Sequence, residues 1–356
     1  MRETAFLKKF FWPKITAIAI LAFIVVSLFR LVRPQEVLKL TELRLALGTN
    51  VKIDVCVEEN EIAKAQEALN LAWLRFYQIE KRMSRFETAG DVYKINTSYP
   101  SPVFVHSDTY YVLQKSLEYS RLSQGAFDIT VGKIENVWKQ SEKMNQFPST
   151  DSLRQALEKT GMDKIHLLGN NQVKLLAEGV KIDLGAIAKG YAIDEAARIL
   201  RMKGFQNFLV NAGGDLFLSG QHCEGRPWVI GIRDPLNPKK RRKIMHSVDL
   251  TNTAVTTSGD YERYYKINGK KYSHIIDPLT GYPAQHVASA TVIAPNATQA
   301  DAFSTALSVM GGKKGLAWIR SLDQDIEIYI AEKDQSGKLT QYKTANYPME
   351  SLSKNH

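Results

Sequence analysis

Residues 182–190 read Ile182-Asp183-Leu184-Gly185-Ala186-Ile187-Ala188-Lys189-Gly190, and this stretch joins a β-strand to an α-helix. The strand is predicted to end in Asp-Leu-Gly, and the helix to begin near Ala186 and continue to about Lys203. Backbone N–H groups at such a helix start, together with Lys189, would point at one place, which suits a phosphate group. Alternatively, Asp183 or Gly185 merely caps the helix. The segment alone leaves both interpretations open.

The segments on either side predict an α+β fold with mainly antiparallel sheets. Residues 38–58 alternate apolar and polar side chains around a turn at Gly48-Thr49-Asn50, which predicts two strands. Apolar residues three and four apart predict a helix over 60–83. Further helices are predicted near 108–123, in parts of 133–163 and from about 298, with strands near 164–168, 172–176, 179–182, 207–271, 286–294 and 325–343. Runs of short strands broken by long helices are typical of α+β layers.

Other glycine-rich segments could also serve a ligand. Residues 125–130 read GAFDIT. Residues 211–215 read NAGGD, where a strand breaks into paired glycines; this fits a close backbone approach to a ligand, but a tight bend is favoured. Residues 256–263 read TTSGDYER and could hold a nucleophilic Ser258. Because the sequence places no general base beside that serine, a polar loop is favoured.

Two later segments carry candidate catalytic or metal-binding side chains. His274 stands just ahead of the turn at Asp277-Pro278 and is catalytic, a ligand, or simply structural. Asp301 and Thr305 lie four apart on the last clear helix and share a face. A carboxylate and a hydroxyl are hard oxygen ligands of the kind that Mg²⁺ uses beside substrate phosphates. Thr298 and Asp301 also have capping-box spacing, and spacing alone favours that interpretation, although the two roles are compatible.

Composition and charge argue against nucleic-acid binding. The chain has 356 residues, 44% hydrophobic and 24% charged, as in ordinary folded proteins. Its net charge is +10, but six basic residues against one acidic residue in 1–33 account for +5. The dense basic run 239–243 is interpreted as a solvated turn. Phosphate-loop, GxGxxG, HExxH and GxSxG signatures are missing from the sequence.

The N-terminus predicts a membrane anchor. Ile15 to Phe29 carries no charge, and flanking apolar residues with basic ends lengthen it enough to span a bilayer. Residues 1–35 are therefore predicted to be a cytoplasmic stub, an uncleaved anchor and a short linker, and residues 36–356 an exported body. The two cysteines, Cys56 and Cys223, could form a disulfide in an oxidising compartment, but the sequence leaves their pairing open.

Taken in order from about Leu47 to Gly311, the segments resemble the ApbE family, the FAD:protein FMN transferases. The resemblance rests on Leu47-Gly48-Thr49, on Met83-Ser84-Arg85-Phe86 leading to Asn96, and on GAFDITVG, IDLGAIAKGYAID, NAGGD, TTSGDYER, HIIDPLTGYPA and ADAFSTAL. It implies an α+β fold of two intimately packed lobes with FAD in the cleft between them.

The resemblance also implies site residues. Metal ligands would be the backbone carbonyl of Ala186, the carboxylate of Asp301 and the hydroxyl of Thr305. His274 and Asp301 are the candidates for accepting a proton, with no choice between them. The implied FAD contacts are Leu47, Phe86, Ala126, Phe127, Asp128, Asp183, Lys189 and Ile275. Leu47 departs from the methionine usual in the family, but both side chains are apolar.

The implied reaction is Mg²⁺-dependent transfer of the FMN half of FAD to a serine or threonine hydroxyl of an acceptor protein, with release of AMP. Implied acceptors include flavin-carrying subunits of sodium-pumping NADH:quinone oxidoreductases or related complexes. The body would then lie on the periplasmic side of the inner membrane. One alternative uses the same site differently, as an FAD pyrophosphatase that releases FMN and AMP. Another is a non-catalytic FAD-binding membrane protein, against which the Asp301 and Thr305 pair argues, because binding alone requires no metal at the pyrophosphate.

Overall fold

A computed structural model describes residues 36–237, 243–261, 263–334 and 336–350. The predicted anchor and linker (1–35) and most of the basic run lie outside these ranges. Within them, no helix is both long and apolar enough to cross a membrane.

The secondary structure follows the predicted α+β order. The helices are α1 (Ile62–Met83), α2 (Asp91–Thr97), α3 (Ser107–Leu122), α4 (Gly132–Met144), α5 (Thr150–Leu157), α6 (Ala188–Met202), α7 (Ala297–Met310) and α8 (Gly312–Ser321). The strands are β1 (Val37–Ala46), β2 (Thr49–Glu58), β3 (Val103–Phe104), β4 (Ile165–Gly169), β5 (Gln172–Leu175), β6 (Phe208–Ala212), β7 (Asp215–Ser219), β8 (Trp228–Arg233), β9 (Ile244–Leu250), β10 (Thr253–Gly259), β11 (Tyr264–Ile267), β12 (Lys270–Ser273), β13 (Val287–Ala294), β14 (Glu327–Lys333) and β15 (Leu339–Lys343).

Some predictions about individual elements were wrong. Residues 179–182 do not form a regular strand; within them, Lys181 makes an isolated β-bridge with Val131. Residues 256–259 belong to β10 instead of a polar loop, because their backbone pairs with β13. Helices α2 and α8 were not predicted.

In the described part of the chain, the largest sheet has eight strands in the order β1-β2-β6-β7-β10-β13-β14-β15. Every neighbouring pair in it is antiparallel. Strand β13 is buried along its whole length because both faces of the sheet are covered at its centre. This sheet and the helices beside it confirm the predicted fold class.

The two faces of the sheet carry different cores. Helices α1, α6 and α7 pack on one face and form the main core. Strands β8 and β9 contribute to a smaller core on the other face. Successive side chains of β7 point to opposite faces of the sheet. Phe217 therefore belongs to the main core, and Leu216 and Leu218 belong to the smaller one. Asp215 at the start of β7 therefore shares the helix-covered face with Phe217.

A disulfide joins Cys56 of β2 to Cys223, with 5.2 Å between their Cα atoms. The pairing that the sequence left open is therefore present. It ties the segment between β7 and β8 to the sheet, where Cys56 is part of the smaller core.

Candidate active site

The segment at 182–190 forms a turn that leads into a helix, and neither Asp183 nor Gly185 caps that helix. Helix α6 begins at Ala188, and Ile187 occupies its N-cap position. Asp183 Oδ1 instead accepts a hydrogen bond of 2.7 Å from the backbone N–H of Gly185. Its Oδ2 lies 3.0 Å from Nη1 of Arg85. The capping alternative is therefore wrong, and Asp183 fixes the turn that leads into α6.

The first turn of α6 brings Lys189 against two aspartates from other elements. Lys189 Nζ lies 2.6 Å from Oδ2 of Asp215 and 3.0 Å from Oδ1 of Asp301. The backbone N–H of Gly190 donates to Oδ2 of Asp301 at 3.0 Å. Burial alone would lower the pKa of Lys189, but Asp215 and Asp301 outweigh it and raise that pKa. The ammonium therefore stays charged between two carboxylates that are 5% and 2% exposed.

Gly190 is what allows this approach of α6 to α7. A Cβ at Gly190 would lie 2.2 Å from the backbone oxygen of Ala297 and 2.8 Å from the Cα of Thr298. Only glycine fits so close to another backbone. The contact at the start of α7 sets Lys189 beside Asp301 one turn further along.

Asp301 is an interior residue of α7 and does not cap it. Asn296 is the N-cap and accepts from the backbone N–H of Gln299 at 2.9 Å. Asp194 of α6 accepts from the N–H groups of Ala297 and Thr298, both at 2.8 Å. Because other carboxyl and amide groups satisfy the helix start, the capping-box interpretation of Thr298 and Asp301 is wrong. Asp301 is left facing Lys189.

Phe86 and Asp183 are brought together by Arg85. The Phe86 ring is 78% exposed, and the Arg85 guanidinium carbon lies 5.0 Å from its centroid. Arg85 also pairs with Glu135 of α4 at 2.9 Å, in addition to Asp183. An exposed aromatic ring held by a cation is a suitable surface for stacking a flavin.

The GAFDIT segment lies next to this turn, since the N–H of Asp183 donates to the oxygen of Ile129 at 2.7 Å. Asp128 Oδ1 accepts from the N–H and hydroxyl of Thr130, at 2.6 and 2.5 Å, and burial raises the pKa of Asp128. The Phe127 side chain lies in the main core, and Ala126 is buried beside it. A ligand contact at Phe127 would therefore use its backbone.

His274 stands on the loop after β12 with its ring fixed. Its Nδ1 lies 2.9 Å from the backbone oxygen of Arg263. A neutral imidazole must donate from Nδ1 to a carbonyl, which leaves the lone pair on Nε2. Burial, with nearby Arg263 and Lys189 charges, lowers the pKa of His274 to about 4. The following residue, Ile275, is buried.

The turn between β1 and β2 lies at the same end of the sheet as Asp215. Leu47 in this turn has φ of 53°. The N–H of Gly213 donates to the oxygen of Asn50 at 3.0 Å. The turn that carries Leu47 is thus beside the paired glycines that precede Asp215.

A family model described as the ApbE family matches residues 47–330. The chain belongs to the ApbE family. A relative from Haemophilus influenzae, named FAD:protein FMN transferase, is 34% identical over 278 residues, which is 76% of this chain and 77% of the relative. A relative from Treponema pallidum with the same name is 31% identical over 292 residues, or 78% and 80% of the two chains.

Solved ApbE structures are similar over nearly their whole length. The ApbE protein from Thermotoga maritima matches with a TM-score of 0.76 and 34% identity, covering 86% of this chain and 97% of that one. The flavin transferase ApbE from Vibrio cholerae matches with a TM-score of 0.76 and 27% identity, covering 88% and 99%. The ApbE resemblance, the enzyme class and the fold class predicted from the sequence are confirmed.

The predicted residues of this ApbE member remain predictions as ligand contacts, although several lie together. Lys189 contacts Asp301, Arg85 links Phe86 to Asp183, and His274 is within electrostatic range of Lys189. Thr305 follows Asp301 by one turn of α7, and Ala186 precedes α6 by two residues.

Sequence reasoning missed Asp215 and Arg85. Asp215 follows the paired glycines of NAGGD, which were interpreted as a tight bend. An aspartate directly after a glycine pair at a strand start was the available signal, but its lysine partner is 26 residues away in sequence and lies on another element. Arg85 stands directly before Phe86 and could have been found as its positioning cation.

Proposed function

We propose that this flavin transferase uses Mg²⁺ to move the FMN moiety of FAD to a serine or threonine hydroxyl of an acceptor protein, releasing AMP. The observation that carries the proposal is the pairing of Lys189 with two buried carboxylates, Asp301 and Asp215, beside the turn at 183–187. A nearly buried carboxylate suits a divalent metal ion, and the lysine beside it suits the anionic pyrophosphate of FAD.

The residues present fit a magnesium ion. Asp301 offers a buried carboxylate that already attracts one cation, the ammonium of Lys189. Thr305 and the backbone oxygen of Ala186 would complete a set of hard oxygen donors, the type that Mg²⁺ prefers. Within the residues that the structure describes, no group of three His, Cys, Asp or Glu side chains could hold a metal. Substrate phosphates and water would therefore supply further ligands. When bound, the ion would neutralise charge on the pyrophosphate.

The chain's own residues would divide the remaining work. Phe86 would stack on the flavin, and Lys189 would donate to a phosphate oxygen. The N–H groups of Ala188, Gly190 and Tyr191 at the start of α6 already donate within the protein, so the contact with the phosphate is assigned to the lysine. His274 is the better candidate for taking the acceptor's proton. Its free lone pair is on Nε2, whereas both oxygens of Asp301 already accept hydrogen bonds.

We also propose that the body works outside the cytoplasm, anchored in the inner membrane by residues 15–29. The disulfide between Cys56 and Cys223 supports an oxidising compartment. Flavin-carrying subunits of sodium-pumping NADH:quinone oxidoreductases or related membrane complexes would be suitable acceptors, because an enzyme on the same membrane meets them at a raised effective concentration.

The test is an acceptor assay. Full-length protein in detergent would be incubated with FAD, Mg²⁺ and the flavin-carrying subunit of such an oxidoreductase, and acceptor mass followed by mass spectrometry. We expect the mass of one FMN on a serine or threonine, with AMP in solution. Free FMN with unmodified acceptor would identify a pyrophosphatase. Intact FAD throughout would identify a flavin-binding protein.

A further inference from the structure

We propose that Lys189 occupies the cation position at Asp301 until a divalent metal arrives, and that Asp215 keeps the displaced ammonium in the site. Lys189 and the metal would thus compete for one carboxylate, with Asp215 as the positioning residue that makes the exchange reversible. The inference rests on the proposed function, since it assumes the metal binds at Asp301.

The geometry of the cluster supports an exchange. The ammonium is closer to Asp215, at 2.6 Å, than to Asp301, at 3.0 Å. Lys189 can therefore release Asp301 by turning its side-chain end and still remain paired. Asp301 is held in place without the lysine, because its second oxygen accepts from the backbone N–H of Gly190.

Charge explains why the lysine must leave Asp301. Two nearly buried carboxylates and one ammonium carry a net charge of −1, which attracts a divalent cation. Two cations on one carboxylate repel each other strongly at low dielectric. The ammonium then gives up Asp301, and its remaining hydrogens become available to an anionic phosphate oxygen beside the metal.

Asp215 decides where the ammonium goes. With Asp215 present, an ammonium that leaves Asp301 still keeps one of its two carboxylate partners. Without it, the lysine would have to leave its last carboxylate partner in this cluster, and it would compete with the metal more strongly. A buried charge without a partner is costly, so the variant without Asp215 should bind metal more weakly.

The first test measures binding of Mn²⁺ alone to the full-length protein without FAD, by calorimetry and by the spin-resonance signal of free Mn²⁺. In Lys189→Met we expect Mn²⁺ binding about tenfold or more tighter than in the wild type, because the competing charge is gone. In Asp215→Asn we expect binding about tenfold weaker. Equal Mn²⁺ affinity in the wild type and Lys189→Met, or no binding by Lys189→Met, would overturn the proposal.

A matched pair of controls lies in β2. Lys52 and the buried Asp54 form another lysine–aspartate pair at 2.7 Å in the same sheet. Lys52→Met and Asp54→Asn should leave Mn²⁺ affinity unchanged; parallel changes there would attribute the effect to overall charge and overturn the proposal. Circular dichroism checks that each variant folds. If Lys189→Met does not fold, the Asp215→Asn variant decides the question. An Asp215→Asn protein that binds Mn²⁺ as tightly as the wild type would then contradict the proposal.

Asp301→Asn separates this inference from the proposed function. If Asp301→Asn binds Mn²⁺ as tightly as the wild type, the metal does not bind at Asp301, and both proposals fail. If Asp301→Asn loses binding while Lys189→Met gains none, the metal site stands and the competition is excluded. A crystal structure with Mn²⁺ gives the second readout: Lys189 should remain paired with Asp215 and be out of hydrogen-bond distance of Asp301. Persistent contact with both would contradict the exchange.

Discussion

A polar group lies against each face of the large sheet, and the surroundings of the two groups are opposite in kind. On the helix-covered face, Lys189 is charged and paired with Asp215 and Asp301. On the other face, His246 of β9 is fully buried between the rings of Tyr329 and Tyr347. Burial first, then the charge of Lys343, lowers its pKa to about 4, so this histidine is neutral at pH 7.

The comparison shows what each face requires. In the first region, two carboxylates keep the Lys189 ammonium charged although removing these charges from water costs free energy. Such an arrangement is typical of sites that bind charged ligands. The second region contains a polar group only in its neutral form. His246 Nε2 bonds to the Tyr347 hydroxyl at 3.0 Å, and among the described residues Nδ1 has no hydrogen-bond partner. The first region keeps charged groups in place, as the proposed metal and phosphate chemistry requires, whereas the second packs aromatic rings around a neutral group.

The largest expected effect is that of Asp301→Asn on activity. Loss of this carboxylate should reduce FMN transfer on the order of 1000-fold, as when a principal electrostatic group is removed from an active site. Stability should change much less, because Asn296 and Asp194 satisfy the start of α7. Turnover and thermal melting of the same preparation check this. Equal losses of activity and folding would make Asp301 a structural residue like His246.

His274→Gln should reduce kcat by about 200-fold with little change in KM for FAD, if Nε2 accepts the acceptor's proton. Because the pKa of His274 is lowered to about 4, its imidazole stays unprotonated, and so able to accept a proton, at pH values well below 6.5. The wild-type rate should therefore hold as pH falls past 6.5 and decline only as it approaches about 4. A pH–rate profile for kcat measures this. A decline centred near pH 6.5 would argue against the lowered pKa.

His246 should make folding sensitive to acid. Its pKa is about 4 in the folded protein and about 6.5 when unfolded, so the unfolded chain binds more protons between these values. The stability is fully present above about pH 6.5 and is lost as pH falls toward 4, by about 3 kcal/mol in total. His246→Phe should flatten the melting temperature across this range. It also provides a background in which an acid limb in activity can be assigned to His274. An unchanged pH dependence in His246→Phe would exclude His246 as its cause.

The fold was largely predictable from sequence because local patterns determine it. The stripe of α1 and the alternation of β2 predicted those elements closely. Helix α2 was missed because it is only seven residues long, too short for a clear periodic pattern. Residues 256–259 look polar but form a strand at the sheet centre, where Ser258 bonds to Ser304 of α7 at 2.7 Å. Such partners cannot be seen in a local pattern.

The candidate site was predictable only in part, for a related reason. Lys189 and Asp301 were identified on separate segments, but the spacing of Thr298 and Asp301 favoured a helix cap. The competing partners, Asn296 and Asp194, became evident only in three dimensions. Asp215 was missed because its role depends on an ammonium from α6, and α6 comes close only because Gly190 admits the backbone of Ala297.

Phe86→Ala should give the smallest effect and sharpen the comparison of the two faces. The exposed ring lies beside two cations, Arg85 and Lys139, and is not part of a core, so we expect stability to change by no more than about 0.5 kcal/mol. If the ring stacks on the flavin, KM for FAD should rise about tenfold, and Phe86→Tyr should retain the wild-type value because stacking needs only the ring. Phe104→Ala is the matched control, since Phe104 is 70% exposed on β3, outside all predicted flavin contacts. A similar rise in KM in the Phe104 variant, or no rise in Phe86→Ala, would show that Phe86 is not part of the FAD-binding surface. The predicted FAD contacts near α6 would then be the polar residues Asp183 and Lys189.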